Sequence, residues 1–188
     1  MKKIGITGSI ASGKTTASKI LSEGKGPLFS ADDEVKRLYK KKKLTKIISK
    51  IFNIKGPKNI KKTIKEKIQK NNSNIYKIEK IVHPLVRKEM YRFIKKNSNS
   101  KYVFLEIPLL IERKLMNFFD IIFYIKAKKS IRLKRFTTRG GKKNLFNILD
   151  KKQSTDAEKI KYSNHVIVNE KNFKVFKKKL LAIFKRYE

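Results

Sequence analysis

The most specific chemistry in the sequence lies near its start. Gly8-Ser9-Ile10-Ala11-Ser12-Gly13-Lys14-Thr15 satisfies the pattern G-x-x-x-x-G-K-[ST] in full. The glycines permit backbone conformations closed to other residues and let phosphate oxygens approach the main chain. Successive N–H groups then form an anion nest, and the following helix adds the partial positive charge of its N-terminus. Lys14 supplies a point charge for the outer phosphates, and the Thr15 hydroxyl suits Mg²⁺. A plain Gly-rich turn before a helix would share the glycines. The complete motif, between a predicted strand and a predicted helix, points to a phosphate-binding P-loop.

Four further groups could complete a reaction. Asp32 follows a short apolar strand, where a carboxylate can accept a proton from a hydroxyl nucleophile or hold a Mg²⁺ water; it could equally cap a helix beginning near Glu34. Glu106 ends a third apolar run ahead of Ile107-Pro108-Leu109-Leu110-Ile111-Glu112, the place of an acid that binds metal through water, or of a solvated acid before a Pro turn. His83-Pro84-Leu85-Val86-Arg87 reads as a helix start with Pro84 at its first position; His83 and Arg87 would then share one face, as structural residues or as donors to an anion. Arg132, Arg135 and Arg139 precede Gly140-Gly141. In a chain whose cations are mostly Lys, clustered Arg suits a transferring phosphoryl group and a water-excluding lid, the other reading being a solvated helix face.

These groups need a scaffold. Lys3 to Thr7 reads as a strand, Lys14 to about Glu23 as a helix stopped by Gly24-Lys25-Gly26-Pro27, and Leu28 to Ser30 as a second strand. This strand–helix–strand opening implies a parallel sheet with a crossover helix. Between about Glu34 and Asn99, Ile47, Ile48, Ile51, then Ile60, Ile64, Ile68, then Ile75, Ile78, Ile81, Val82, and then Val86, Met90, Phe93, Ile94 recur at helical spacing, with breakers at Gly56-Pro57, Asn71 to Asn74 and Pro84. This predicts a helical insertion over 34–99. Tyr102 to Glu106 and Asp120 to Ile125 are continuous apolar strands, as expected where both sheet faces are covered. Helices follow at Lys129 to Thr138 and Lys143 to Gln153, a turn at Asp156 to Tyr162, a strand at His165 to Val168 and a helix at Phe173 to Arg186. The expected class is α/β: a three-layer αβα domain over 1–188 with a parallel sheet of about five strands, the helical insertion, and a lid over 129–153.

Composition narrows the partners. The 188 residues suffice for a domain with a core of its own, and the absence of Cys excludes disulfides, Cys-ligated zinc and a thiol nucleophile. Apolar runs are too short for a membrane span, and no apolar segment follows the basic N-terminus, so a cytoplasmic protein is expected. Lys plus Arg is 50 against 15 for Asp plus Glu, a net charge of +35. Such a charge favours polyanionic partners. The dominance of Lys with abundant Ile and Asn is also the usage of an AT-rich genome. The Lys clusters are spread over separate segments, so a small polyphosphate ligand is expected rather than a specific nucleic acid. The sequence leaves oligomeric state open.

The P-loop, the acid after the second strand, His83-Pro84-x-Val86-Arg87, Pro108-Leu109-Leu110-x-Glu112, the Arg-rich segment, Gln153 and Val166-Ile167-x-Asn169 occur together in this order. The combination resembles the dephospho-CoA kinases, from Lys3 to about Asn169. The resemblance implies ATP- and Mg²⁺-dependent phosphorylation of the ribose 3′-hydroxyl of dephospho-CoA. It implies that Gly8, Ala11, Ser12, Gly13, Lys14, Thr15 and Thr16 bind ATP, with Asn169 near the adenine. It assigns Asp32 to activation of the hydroxyl and Lys14, Arg135 and Arg139 to the phosphoryl group. His83, Arg87, Pro108 and Leu109 fall to the acceptor, and Thr15 and, through water, Glu106 to the metal. Two positions depart from the family: Ser30 stands where an Asp is common, and the segment before Gln153 lacks a frequent Arg. Another small-molecule P-loop kinase, or a nucleic-acid-binding P-loop NTPase, is the alternative.

Overall fold

The computed structural model of the chain describes residues 1–54, 63 and 73–188. Five strands, β1 (Lys2–Gly8), β2 (Leu28–Ser30), β3 (Tyr102–Glu106), β4 (Ile121–Lys126) and β5 (His165–Val168), form one sheet in the order β2-β3-β1-β4-β5. Every pairing is parallel. β1 therefore lies at the centre, with the crossover to β2 on one side and β4 on the other. This reversal of strand order opens a crevice at the carboxyl ends of the strands, where α/β sheets bind ligands. Register matters for the site: Ile6 pairs with Glu106, which also pairs with Ser30.

The apolar runs have the expected cause. Ile4, Ile6, Tyr102, Phe104, Ile121, Phe123, Ile125 and Ile167 face a layer made by α1 (Lys14–Ser22) and the C-terminal α8 (Phe173–Phe184), with Ala17, Ile20, Leu21, Phe176, Leu180 and Phe184. Residues of the opposite sheet face, Val103, Leu105, Ile122 and Tyr124, are buried too. On that side Gly5 admits Leu110 and Phe119 so closely that a Cβ would stand 2.9 Å from both side chains. The described helices flanking the site there are α5 (Lys129–Thr138), α6 (Lys143–Lys151) and α7 (Asp156–Lys161).

The described chain divides into two compact units, Met1–Ser30 with Ile94–Glu188, and Ala31–Phe93. The second contains α2 (Ala31–Leu38), α3 (Lys42–Ile51) and most of α4 (Ser73–Lys96). Leu38, Leu44, Ile48, Phe52, Ile78 and Val82 form its core. The predicted apolar positions Ile60, Ile64 and Ile68, the Gly56-Pro57 and Asn71-Asn72 breakers, and the side chain of Ile75 lie outside what is described.

Two local expectations are corrected. Pro84 does not start a helix; it lies inside α4. Ile78 and Val82 before it and Val86 and Met90 after it continue one apolar face, and burial of that face outweighs the hydrogen bond that Pro cannot donate. Nor does Asp32 cap a helix starting near Glu34, because α2 begins at Ala31 directly after β2 and takes Asp32 into its first turn.

The Gly5 contact gives a test of the sheet's covered face. Gly5→Ala should destabilise the protein by about 1–3 kcal/mol, the usual cost of overpacking, measured as a lower urea midpoint at unchanged slope.

Candidate active site

The strand-to-helix turn after β1 has the shape its motif requires. Gly13 caps α1 with φ 105°, and a Cβ there would fall 2.3 Å from the Asn169 side-chain nitrogen, so this glycine answers both a backbone and a space demand. Ala11 is also left-handed, at φ 58°, without being glycine. Lys14 is buried and lies along the loop, with Nζ 3.4 Å from the Ser9 carbonyl. The Thr15 hydroxyl donates to Glu106 Oε1 at 2.7 Å, and Ser18 Oγ lies 3.4 Å from Oε2. Glu106 is fully buried, so two hydroxyls hold a carboxylate that burial would otherwise penalise heavily. Thr16 follows in the first turn of α1.

Long-range partners hold the rest of the loop. The Ile10 N–H donates to Gln153 Oε1 at 2.8 Å, and Arg132 reaches the Ile10 carbonyl at 3.4 Å. The Ser12 carbonyl accepts from the Asn169 amide at 2.8 Å and from Arg135 at 3.3 Å, and Arg135 also donates to the Asn169 carbonyl at 3.1 Å. Burial, and then the neighbouring charge of Arg139, press the Arg135 guanidinium below its ordinary value, with Glu170 opposing them. Arg139 is exposed at the C-cap of α5. Arg132 is an internal strut, bonded to Asp150 at 2.6 Å and to the Ala127 carbonyl. Burial alone would raise the Asp150 carboxyl, but Arg132 and then Lys129 outweigh it and hold it low. Gly141 is a packing glycine, since its Cβ would strike the Phe136 ring. Pro108 and Leu109 are half-buried in the turn after β3, and the Thr7 hydroxyl donates to the Pro108 carbonyl at 3.3 Å.

A family model described as dephospho-CoA kinase matches residues 2–174. The chain belongs to the dephospho-CoA kinase family. A dephospho-CoA kinase from Rickettsia typhi is 34% identical over 189 residues, covering 100% of this chain and 98% of that protein. The fold agrees with that of a Thermus thermophilus protein (TM-score 0.80, 24% identity, 100% of this chain and 98% of the other). It also agrees with a dephospho-CoA kinase from Campylobacter jejuni (TM-score 0.66, 22% identity, 98% and 96%). The α/β class with a five-stranded parallel sheet expected from the sequence is thus the fold found.

In this kinase most of the predicted residues fall into two sets, with Thr16, Pro108, Leu109 and Arg139 placed as described above. Gly8, Ala11, Ser12, Gly13, Lys14, Thr15, Glu106, Arg135 and Asn169 are brought together around the loop. Asp32, exposed in the first turn of α2, and His83 and Arg87, one helical turn apart on α4, belong to the unit Ala31–Phe93; His83 is half-buried and Arg87 exposed. Sequence reasoning missed Lys159, which is fully buried and donates to Ser9 Oγ at 3.1 Å. As one cation among 50 it carried no signal of its own. Arg132 and Gln153 had been noticed as types without their loop partners. Among the described residues, no helix is long and apolar enough to cross a membrane.

Ala11 yields a stability test. A left-handed non-glycine residue costs about 1–2 kcal/mol, partly offset by glycine's greater freedom in the unfolded chain. Ala11→Gly should therefore stabilise the kinase by about 0.5–1 kcal/mol by urea unfolding, and a loss of stability would mean the conformation is not strained.

Proposed function

We propose that this chain phosphorylates the ribose 3′-hydroxyl of dephospho-CoA with ATP, giving CoA and ADP, the last step of CoA synthesis in the cytoplasm. Family membership supports the reaction. The observation that carries the division of roles is the Thr15–Glu106 pair beside the P-loop. Together with Ser12 Oγ, which is buried and lacks a hydrogen-bond partner among the described residues, it offers oxygen donors beside the phosphate nest. Those oxygens fit Mg²⁺, a hard cation that keeps several waters. When bound, the ion would neutralise charge on the transferring phosphoryl oxygens.

The residues then act as follows. The loop N–H groups and Lys14 bind and orient the phosphates. Asp32 accepts the proton of the attacking hydroxyl. Arg135 and Arg139 bring positive charge to the phosphoryl group, Arg135 from a position fixed by Ser12 and Asn169. Asn169 lies toward the adenine with its side-chain amide committed to the loop. His83 and Arg87 serve the acceptor's pyrophosphate, as a guanidinium can clamp it bidentately, and Pro108 and Leu109 line the acceptor side. The insertion over 34–99 is the acceptor-binding part, and 129–153 the lid that excludes water.

A mass-spectrometric product assay with ATP, Mg²⁺ and a panel of acceptors tests the reading. CoA and ADP are expected from dephospho-CoA. Turnover of a nucleoside or nucleotide in its place, or an ATPase driven by DNA, would overturn it. General-base assistance is worth about 10²–10⁴-fold, so Asp32→Asn should reduce kcat within that range and leave ATP affinity nearly unchanged. Arg87→Ala should raise KM for dephospho-CoA without altering KM for ATP; the opposite split would put this segment on the donor side.

A further inference from the structure

Lys159 is a second buried lysine beside the P-loop, and the nucleotide chemistry does not account for it. It extends from α7 to Ser9, the second residue of the loop, and its Nζ lies 3.4 Å from Glu112 Oε1. Glu112 Oε1 also accepts the Ser154 N–H at 2.8 Å, so the carboxylate fixes the turn that leads into α7. The Tyr124 hydroxyl, on β4, donates to Asp156 at the head of α7 at 2.5 Å. Burial, and then the Asp156 hydrogen bond, push the Tyr124 phenol up, so it stays protonated as a donor. The helix α7 is thus tied to the loop by Lys159 on Ser9 and to β4 by Asp156 on Tyr124.

This arrangement is expensive as pure stability. Lys159 is fully buried, Glu112 nearly so, and Glu112 Oε2 has no hydrogen-bond partner among the described residues. Apolar residues of similar volume would commonly stabilise such a place as well or better, whereas a directed ion pair fixes geometry. The geometry fixed here is that of Ser9. Ser9 is held at its carbonyl by the Ser12 N–H at 3.1 Å and by Lys14 at 3.4 Å, and at its hydroxyl by Lys159. When Lys14 turns to the phosphates it leaves the Ser9 carbonyl to the Ser12 N–H, a bond within the loop, and Lys159 remains as the tether that fixes Ser9 to the rest of the fold.

We propose that Lys159, oriented by Glu112, is a positioning residue for ATP: it pins Ser9 so that the loop keeps its phosphate-binding shape while Lys14 is engaged with the nucleotide. The proposal rests on the assignment of Gly8–Thr15 to ATP. It predicts an effect on the donor side alone, because dephospho-CoA is not bound by this loop.

Lys159→Met alone would strand the Glu112 carboxylate and lower the melting temperature. The decisive variant is therefore Lys159→Met with Glu112→Leu, which removes both charges. Ser9→Ala, which removes only the acceptor atom, is the conservative companion. Both should melt near the native temperature and raise KM for ATP about tenfold, with KM for dephospho-CoA within about twofold of native. The combination of all three changes should do no more than either. A native ATP KM in Ser9→Ala or in the charge-free pair would overturn the proposal, as would additive effects or a shift in the dephospho-CoA KM in place of the ATP KM. Lys14→Ala, assayed alongside, separates the two levels. If it leaves ATP turnover intact, the assignment of the loop to ATP fails, independently of Lys159.

Discussion

A loop that turns its N–H groups toward a phosphate must have its remaining polar groups satisfied from behind. That constraint organises this molecule. An unsatisfied buried peptide group costs about 1–3 kcal/mol, and a loop free to rotate its peptides would lose the nest between turnovers. Here the Ile10 N–H is taken by Gln153, the Ile10 carbonyl by Arg132, the Ser12 carbonyl by Asn169 and Arg135, and the Ser9 hydroxyl by Lys159. The loop's shape is thereby set by bonds to the rest of the fold before any ligand is present. Preorganisation of this kind is what makes electrostatic stabilisation effective, since little reorganisation is needed when charge shifts.

The backing comes from far along the chain. Gln153, Asn169 and Lys159 stand 143, 157 and 150 residues from the loop groups they meet. The parallel sheet makes this possible. β1 lies between β3 and β4, so the turn after β1 is flanked by the strand ends that carry Glu106 on one side and by β4, with α5 and β5 beyond it, on the other. The motif is local, but its working geometry is a property of the whole unit Met1–Ser30 with Ile94–Glu188. The strand order brings Glu106 and a set of loop struts to opposite flanks of one turn.

This division explains what could be read in the sequence. The P-loop, β3 and β4 were legible because their signals are local: a fixed spacing in one case, uninterrupted apolar runs in the others. The place of Glu106 at the end of β3 was legible from the apolar run before it, whereas its bond to Thr15 depends on the pairing of β1 with β3. Pro84 misled because the rule for proline at a helix start is local, whereas the apolar face from Ile78 to Met90 is a tertiary matter and prevailed. Ala11 gave no sign of its left-handed backbone, since nothing in residue type marks a strained alanine. Lys159 was illegible for a statistical reason with a physical root. Surface lysines are nearly neutral in cost, so a chain can accumulate them, and the one that is buried and bonded looks like the rest.

Acidic residues behave in the opposite way. With 15 of them against 50 cations, each acid meets more possible partners than it can hold, and its position says more than that of any lysine. Glu106 holds Thr15, Glu112 holds Lys159, Asp150 holds Arg132 and Asp156 receives Tyr124, and Glu170 accepts the Lys128 N–H at the head of α5. Five of the scarce carboxylates thus stand behind or beside the same turn. They have a further effect on the ligand. A cluster of bare cations at the loop would attract any polyanion and hold it loosely. By neutralising Arg132 and Lys159, the carboxylates convert those two side chains from attractors into supports. On the reading proposed above, the local positive charge left for the phosphates would come from Lys14, Arg135, Arg139 and the helix N-terminus, groups with a direction. The net charge of the chain raises the encounter rate with anions in general, whereas the arrangement of its few acids decides where an anion can be bound in a single orientation.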